Sequence, residues 1–435
     1  MTSKITPMQL FGRKKGSLAC SILQLLNGDI DLICVRKQPF TSGGIQAFRT
    51  NVLFMNEGGT LVDRTAEYAS ASDVAGDNGF LTPTNDRDVM LGDFNNDGWL
   101  DFVTAVTLAD GQPKHISYPR IYMNLGLVNG NWGGFLHEDA RMEQFEGNAP
   151  NGTPHAPRFC SVDVGDIDGD GDLDLAVAND FLSTQKLLVN NGSGFFTDES
   201  ATRIPQFAMS SAHCSFGDVD DDGDLDLWFT RGGSSRFGSG QAQLWINDGA
   251  GFYTNETASR LPAQLVSEPM DCIFGDLDGD LDLDMLEGHR AGNSKLYRND
   301  GGIFVDITAG NLPGDSNTYS YDLGDLDGDG DLDVFGANSG VGSREAVFQN
   351  NGAGSFTNVT STVLPNSSNP NVDDNDSKFF DSDNDGDLDL IINNVNQELF
   401  VYKNNQSGTN LLQIELIGAE GNTQAIGAQI LVEGE

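Results

Sequence analysis

The chain has 435 residues, with 24 Lys and Arg against 65 Asp and Glu, for a net charge of −41. That balance argues against nucleic acid or an anionic membrane as partner, because both are held through basic patches. No stretch is long and apolar enough for a bilayer-spanning helix, and the five cysteines do not form an even framework of pairs.

From the start, Arg13-Lys14-Lys15 and the apolar run Ser17 to Leu26 faintly resemble a signal peptide, and Ser17-Leu18-Ala19-Cys20 faintly resembles a lipobox. The same run fits a strand of a repeating unit. Asn27-Gly28-Asp29-Ile30-Asp31-Leu32 matches the end of an acidic loop that recurs downstream. Phe54-Met55-Asn56-Glu57-Gly58-Gly59 matches the hairpin that follows it. Leu23 and Leu25 stand where the loop's first ligands belong, so this first copy has lost its metal.

Six full copies of the nine-residue loop follow. Their odd positions hold Asp93, Asn95, Asp97, Trp99 and Asp101; then Asp166, Asp168, Asp170, Asp172 and Asp174; then Asp218, Asp220, Asp222, Asp224 and Asp226. The fourth copy has Asp276, Asp278, Asp280, Asp282 and Asp284, the fifth Asp325, Asp327, Asp329, Asp331 and Asp333, and the sixth Asp381, Asp383, Asp385, Asp387 and Asp389. Side chains at positions 1, 3, 5 and 9, with the backbone carbonyl of position 7, are suited to wrap one Ca2+, a hard cation that takes roughly six to eight oxygens. Mg2+ fits less well, because it keeps several waters rather than accept an all-protein cage. Glycine at position 6 permits the sharp turn. An EF-hand does not fit, since the closing acid falls at 9 rather than 12 and the flanks read as strands.

Two copies depart. Asn95 offers an oxygen without charge, so the first loop is expected to bind more weakly. Leu281 replaces the glycine at position 6 of the fourth, which is expected to be distorted or empty. Five or six ions are expected in all. Six would return about twelve charges and leave about −29.

Each loop leads into an apolar strand such as Asp174-Leu175-Ala176-Val177-Ala178, and then into a hairpin of the form Leu187-Leu188-Val189-Asn190-Asn191-Gly192. The unit is strand, loop, strand, strand, Asn-Gly turn, strand, repeated every ~50–60 residues, which is the signature of a propeller blade. Six metal blades and one degenerate blade predict an all-β fold: a seven-bladed propeller of four-stranded antiparallel blades over residues 1–404. A short β segment occupies residues 405–435. Cys160, Cys214 and Cys272 lie on equivalent strands and read as small buried hydrophobes; Cys20 and Cys34 share the first unit and could pair.

These units resemble FG-GAP/VCBS repeats, as in the integrin α-subunit propeller and in bacterial surface proteins. The tail Asn410-Leu411-Leu412-Gln413-Ile414-Glu415-Leu416-Ile417-Gly418, with Ile426-Gly427-Ala428, is similar to the opening of the ASPIC/UnbV module. The pairing resembles the cartilage-acidic-protein-like family. The resemblance implies a secreted or surface Ca2+-binding protein and no particular reaction.

Strand direction gives one more expectation. The metal loops and the Asn-Gly turns share one end of every blade, so the longer connections lie at the other. Binding residues collect on such connections over a rigid scaffold. The ligand face is therefore expected opposite the metal loops, with Asp88, His213, Arg231, Asp271, His289 and Arg290 at the channel mouth. The leading expectation is an extracellular interaction module for a protein or glycan, with structural Ca2+. The alternatives are a propeller-based carbohydrate-active enzyme with its site at the mouth, and a self-assembling subunit of a surface layer or filament. No nucleophile-elbow, phosphate-loop or zinc-protease motif occurs.

Overall fold

The structure is a computed structural model. It describes residues 6–7, 19–25, 30–36, 49–107, 109, 112–144, 147–148, 154–155, 158–180, 183–231, 239–263, 266–315, 317–338, 345–364, 374–383, 385–394 and 399–405. The segment similar to the ASPIC/UnbV module, from residue 406 onward, lies outside them.

Six consecutive units each fold as four antiparallel strands in chain order. Blade I is Ala19–Gln24, Ile30–Val35, Val52–Asn56 and Leu61–Asp63. Blade II is Asp86–Gly92, Asp101–Val106, Arg120–Asn124 and Phe135–His137. Blade III is Phe159–Gly165, Asp174–Asn179, Lys186–Asn190 and Phe196–Asp198. Blade IV is Cys214–Gly217, Asp226–Phe229, Gln243–Asn247 and Tyr253–Asn255. Blade V is Pro269–Gly275, Asp284–His289, Lys295–Asn299 and Phe304–Asp306. Blade VI is Thr318–Gly324, Asp333–Asn338, Ala346–Gln349 and Thr357–Asn358.

Blade VII is built differently. Asp374–Phe380, Asp389–Asn394 and Phe400–Lys403 supply three strands. The fourth is Thr6–Pro7, which pairs antiparallel with Tyr402 and Lys403. The two ends of the propeller sequence thus share one sheet. A two-residue strand has no periodicity, so the sequence gives no hint of it. Blade II carries an addition, Ala71–Ser72, parallel to its outer strand.

The second strands are buried along their whole length, because neighbouring blades cover both faces. This is why they read as unbroken apolar runs rather than as alternation. Among the described residues, apolar side chains gather in seven main clusters that each join two adjacent blades. The ring closes where Cys20, Leu32 and Phe54 of blade I meet Phe380, Ile391 and Val401 of blade VII. Tight approach between blades depends on a glycine just before position 1. A Cβ on Gly165 would lie 2.5 Å from Leu225 Cδ1 of blade IV, and one on Gly275 would lie 2.6 Å from Leu323 Cδ1 of blade VI.

A second repeated device ends the blades. The hydroxyl of Thr65, Ser200, Thr257, Thr308 or Thr360 accepts the amide of the third strand, as in Leu244 N to Thr257 Oγ1 at 3.0 Å. Two residues earlier, Asp63, Asp198, Asn255, Asp306 or Asn358 accepts the amide of that Ser or Thr. Each pair fixes the short turn of helix leading out of the blade.

Cys20 and Cys34, opposite each other on the first two strands of blade I, form a disulfide. Cys160, Cys214 and Cys272 are buried thiols outside any disulfide. No described helix is long and apolar enough to cross a membrane. The exposed large apolar side chains among the described residues are Leu125, Leu127, Val128, Phe195, Phe252, Leu281, Ile303 and Val305.

Candidate metal loops and the channel mouth

The loops share one hydrogen-bond plan. The amide of position 6 donates to Oδ2 of position 1 in all six, from Gly98 to Asp93 at 2.8 Å through Gly386 to Asp381 at 2.9 Å. The amide of position 7 donates to Oδ1 of position 5, as in Asp172 to Asp170 at 2.9 Å. Position 6 holds positive φ throughout, and so does position 4 at Asn96, Gly169, Asp221, Gly279 and Gly328. Only Gly, Asn and Asp tolerate that conformation cheaply, which explains the residue types at position 4.

Leu281 adopts φ +78°, where its counterparts are glycines, and its amide still reaches Asp276 Oδ2 at 3.1 Å. The expected distortion of this loop is therefore absent. The backbone carries the strain, and the leucine side chain points to solvent.

Five loops bring three carboxylates within 4.8 Å of one another: Asp166, Asp168 and Asp174; Asp218, Asp220 and Asp222; Asp276, Asp278 and Asp284; Asp325, Asp327 and Asp333; Asp381, Asp383 and Asp385. The loop of blade II is not among them. There Asn95 turns its amide nitrogen toward Asp97 Oδ2 at 3.0 Å. The fit to a cation is tested by three atoms. Oδ1 of Asp168, Asp220 and Asp278 is buried with no hydrogen-bond donor. A buried, acceptor-only oxygen is costly unless something positive meets it.

Position 7 has a second use. Its side chain takes further partners: Gly301 N of the hairpin turn donates to Asp282 Oδ2 at 2.9 Å, and Asn96 in the acidic loop of blade II donates to Asp172 Oδ1 at 2.8 Å. Position 9 is the deepest ligand. Its Oδ2 accepts the amide of position 2, and its Oδ1 accepts the amide of the hairpin asparagine, as at Asp226 with Val219 (3.2 Å) and Asn247 (2.9 Å). Burial, opposed by those amides, pushes Asp101 and Asp174 up to about 8 and Asp226, Asp284 and Asp333 up to about 7.

Blade I shows why that aspartate is more than a ligand. Asp31 is fully buried and accepts Asn56 N at 2.8 Å and Leu25 N at 3.2 Å. The metal positions are gone, yet the structural half of the loop persists. The hairpin asparagine then reaches across to the preceding blade. Asn247 Nδ2 donates to Ile167 O of blade III at 2.8 Å, and Asn190, Asn299, Asn350 and Asn404 repeat the contact. Asn56 closes the circle on Ser382 O of blade VII at 3.0 Å. Sequence reading identified these asparagines as turn residues and missed their role as bolts between blades.

At the other end of the inner strands, Asp88, His213 and Asp271 line a cavity of about 50 Å3, together with Arg87, Cys160, Ala212, Met270, Tyr319, Ser320 and Asp376. His213 Nε2 lies 3.3 Å from Asp271 Oδ1, and its Nδ1 lies 3.5 Å from the Cys272 thiol. Burial holds that thiol well above its usual range. The carboxylates also stitch blades: Asp88 accepts Val162 N at 3.1 Å, Asp271 accepts Tyr321 N at 2.6 Å, and Asp376 accepts Cys20 N at 3.0 Å. The other three mouth candidates do not line the cavity. His289 is buried against Glu287 at 2.9 Å. Arg290 sits over the Tyr319 ring at 5.8 Å, and Arg231 over the Phe207 ring at 5.7 Å.

A family model described as FG-GAP-like repeat matches residues 166–229 and 288–336. The protein is a seven-bladed β-propeller with FG-GAP-like repeats and acidic clusters in its loops. A chain of the crystal structure of BBS1N in complex with ARL6DN, soaked with mercury, is 11% identical and similar over 94% of this chain and 99% of its own, with a TM-score of 0.50. That likeness is one of fold. A chain of the Photorhabdus luminescens Tc holotoxin pore is 14% identical over 86% of this chain and 16% of its own, at a TM-score of 0.37. No curated protein matches.

Proposed function

We propose that this is a secreted or cell-surface propeller in which Ca2+ fixes the blade ends, and in which the assembled disc serves as an interaction module for a protein or glycan. The observation that carries the metal reading is the set of buried oxygens without donors on Asp168, Asp220 and Asp278. Asp166, Asp168 and Asp174 would hold one ion in blade III, and the four other acidic triads would hold others in blades IV to VII. A cage this dense in carboxylates suits Ca2+ better than Mg2+. The Cys20–Cys34 disulfide supports an oxidising compartment.

The carbohydrate-enzyme reading gains no support from the channel mouth. The cavity of about 50 Å3 there is small beside the pockets that usually hold small-molecule ligands. A ligand face opposite the metal loops is part of this reading; of the connections 67–86, 108–120, 141–157 and 232–241 expected there, 108, 110–111, 145–146, 149–153, 156–157 and 232–238 lie outside the described residues.

Thermal melts test the metal reading. Each site is expected to contribute ~2.7 kcal/mol at a hundredfold excess of Ca2+ over its Kd. EGTA should lower Tm strongly, and added Ca2+ should restore it where Mg2+ does not. A transition unmoved by EGTA overturns the assignment.

A further inference from the structure

The hairpin turns stand on the same face as the metal loops. Gly249 faces the Asp224 carboxylate of its own loop, and Gly251 faces Asp168 of the loop one blade back. The residue after the second turn glycine points outward while the next one is buried: Phe195 before Phe196, Phe252 before Tyr253, Ile303 before Phe304. Those three outward side chains are 42%, 46% and 47% exposed. Blade II adds Leu127 and Val128 on a longer hairpin, and the loop of blade V adds Leu281. The same turn position holds Thr60 in blade I and Ser355 in blade VI. The turn therefore does not require an apolar residue, and the apolar side chains form an arc over four consecutive blades rather than a ring.

Charge decides what can cover the arc. The loops of blades III, IV and V carry five, six and five aspartates and that of blade II carries three, so one divalent ion leaves roughly three or four negative charges on each of the former and about one on the latter. The nearby arginines are already committed: Arg203 to Glu199 at 2.6 Å, Arg260 to Asp220 at 2.8 Å, Arg298 to Asp300 at 2.8 Å. A second copy of this face or an anionic membrane would be repelled. We propose that the metal-loop face of blades II to V docks a basic polypeptide segment whose apolar side chains seat on Phe195, Phe252 and Ile303 while its cations meet the intervening loops. The proposal rests on the reading of the chain as an interaction module and adds a second face to it. Two of the rings are pre-positioned, with the Arg141 guanidinium 4.8 Å from the Phe195 centroid and that of Arg203 5.1 Å from Phe252.

The test uses the full chain in Ca2+ buffer, with a labelled peptide of alternating Lys and Leu as probe and a Lys/Ser peptide of equal charge beside it. Fluorescence anisotropy should show the Lys/Leu peptide binding at least about tenfold tighter. The combined Phe195→Ser, Phe252→Ser, Ile303→Ser variant should lose that preference with Tm unchanged, and Ser355→Ala should keep it. Equal binding of the two peptides, or an undiminished preference in the triple variant, overturns the proposal. So does flotation with phosphatidylserine vesicles, or dimerisation in sedimentation, that the triple variant abolishes. If the preference is missing while EGTA still lowers Tm, the docking surface falls and the metal assignment stands.

Discussion

Position 9 of the loop is assigned two separable jobs, and Asp31→Ala set beside Asp174→Ala takes them apart. Asp31 accepts two backbone amides at 2.8 and 3.2 Å in a blade without the other ligands. Both amides would lose their acceptor, at roughly 1–3 kcal/mol each, so Asp31→Ala should cost about 2–6 kcal/mol. That cost should be the same in saturating Ca2+ and in EGTA. Asp174 makes the equivalent bonds, to Asn190 N at 2.7 Å and Ile167 N at 3.3 Å, and also belongs to an acidic triad. Asp174→Ala should show a similar loss in EGTA and a further ~2.7 kcal/mol in Ca2+, at a hundredfold excess over Kd. Urea titrations of wild type and both variants in the two buffers give the four differences. A Ca2+-dependent cost for Asp31→Ala, or a Ca2+-independent cost for Asp174→Ala, would refute the division of labour.

Three more outcomes are expected. Leu281→Gly should raise stability by about 1 kcal/mol, since it relieves a φ of +78° while giving up an exposed side chain; a lower urea midpoint would contradict this. Asn95→Asp should complete an acidic triad in blade II and add one ion to the stoichiometry measured by calorimetric titration. Burial pushes Asp376 up to about 7, against the opposing pull of Lys378. The folded state therefore holds this proton more tightly than the unfolded chain, so the contribution is complete below the unfolded value near 3.8 and is lost as pH rises through about 7. In saturating Ca2+, the advantage of Asp376→Asn over wild type should grow between those limits, and an advantage that shrinks across that range would count against it.

The loops, the hairpins and the blade without metal were legible because each is a local pattern: alternating oxygens, an Asn-Gly turn, and apolar runs of strand length. Leu23 and Leu25 at ligand positions identified the degenerate blade from spacing alone. What lay beyond reading were contacts between blades. Asn247 reads as a turn residue until Ile167 O of blade III is placed against its amide. Asp88 and Asp271 read as a polar channel mouth, yet both are amide acceptors for a neighbouring blade, and spacing within a unit carries no register between units. Leu281 misled in the other direction. Its cost is local and the loop's hydrogen bonds are many, so the backbone keeps the shape that a glycine would have given.

The last blade has a consequence for synthesis. Thr6–Pro7 leaves the ribosome before the other strands of the propeller, and its partner strand Phe400–Lys403 follows after them. At roughly 5–20 residues per second, the early strand waits on the order of 20–80 s for its mate. Six blades can take shape in order during that interval, but the disc stays an open arc. Its closure waits for the last strand even though every preceding step can be vectorial, and a chain stalled before Phe400 would present two unmatched edges to whatever chaperone meets it.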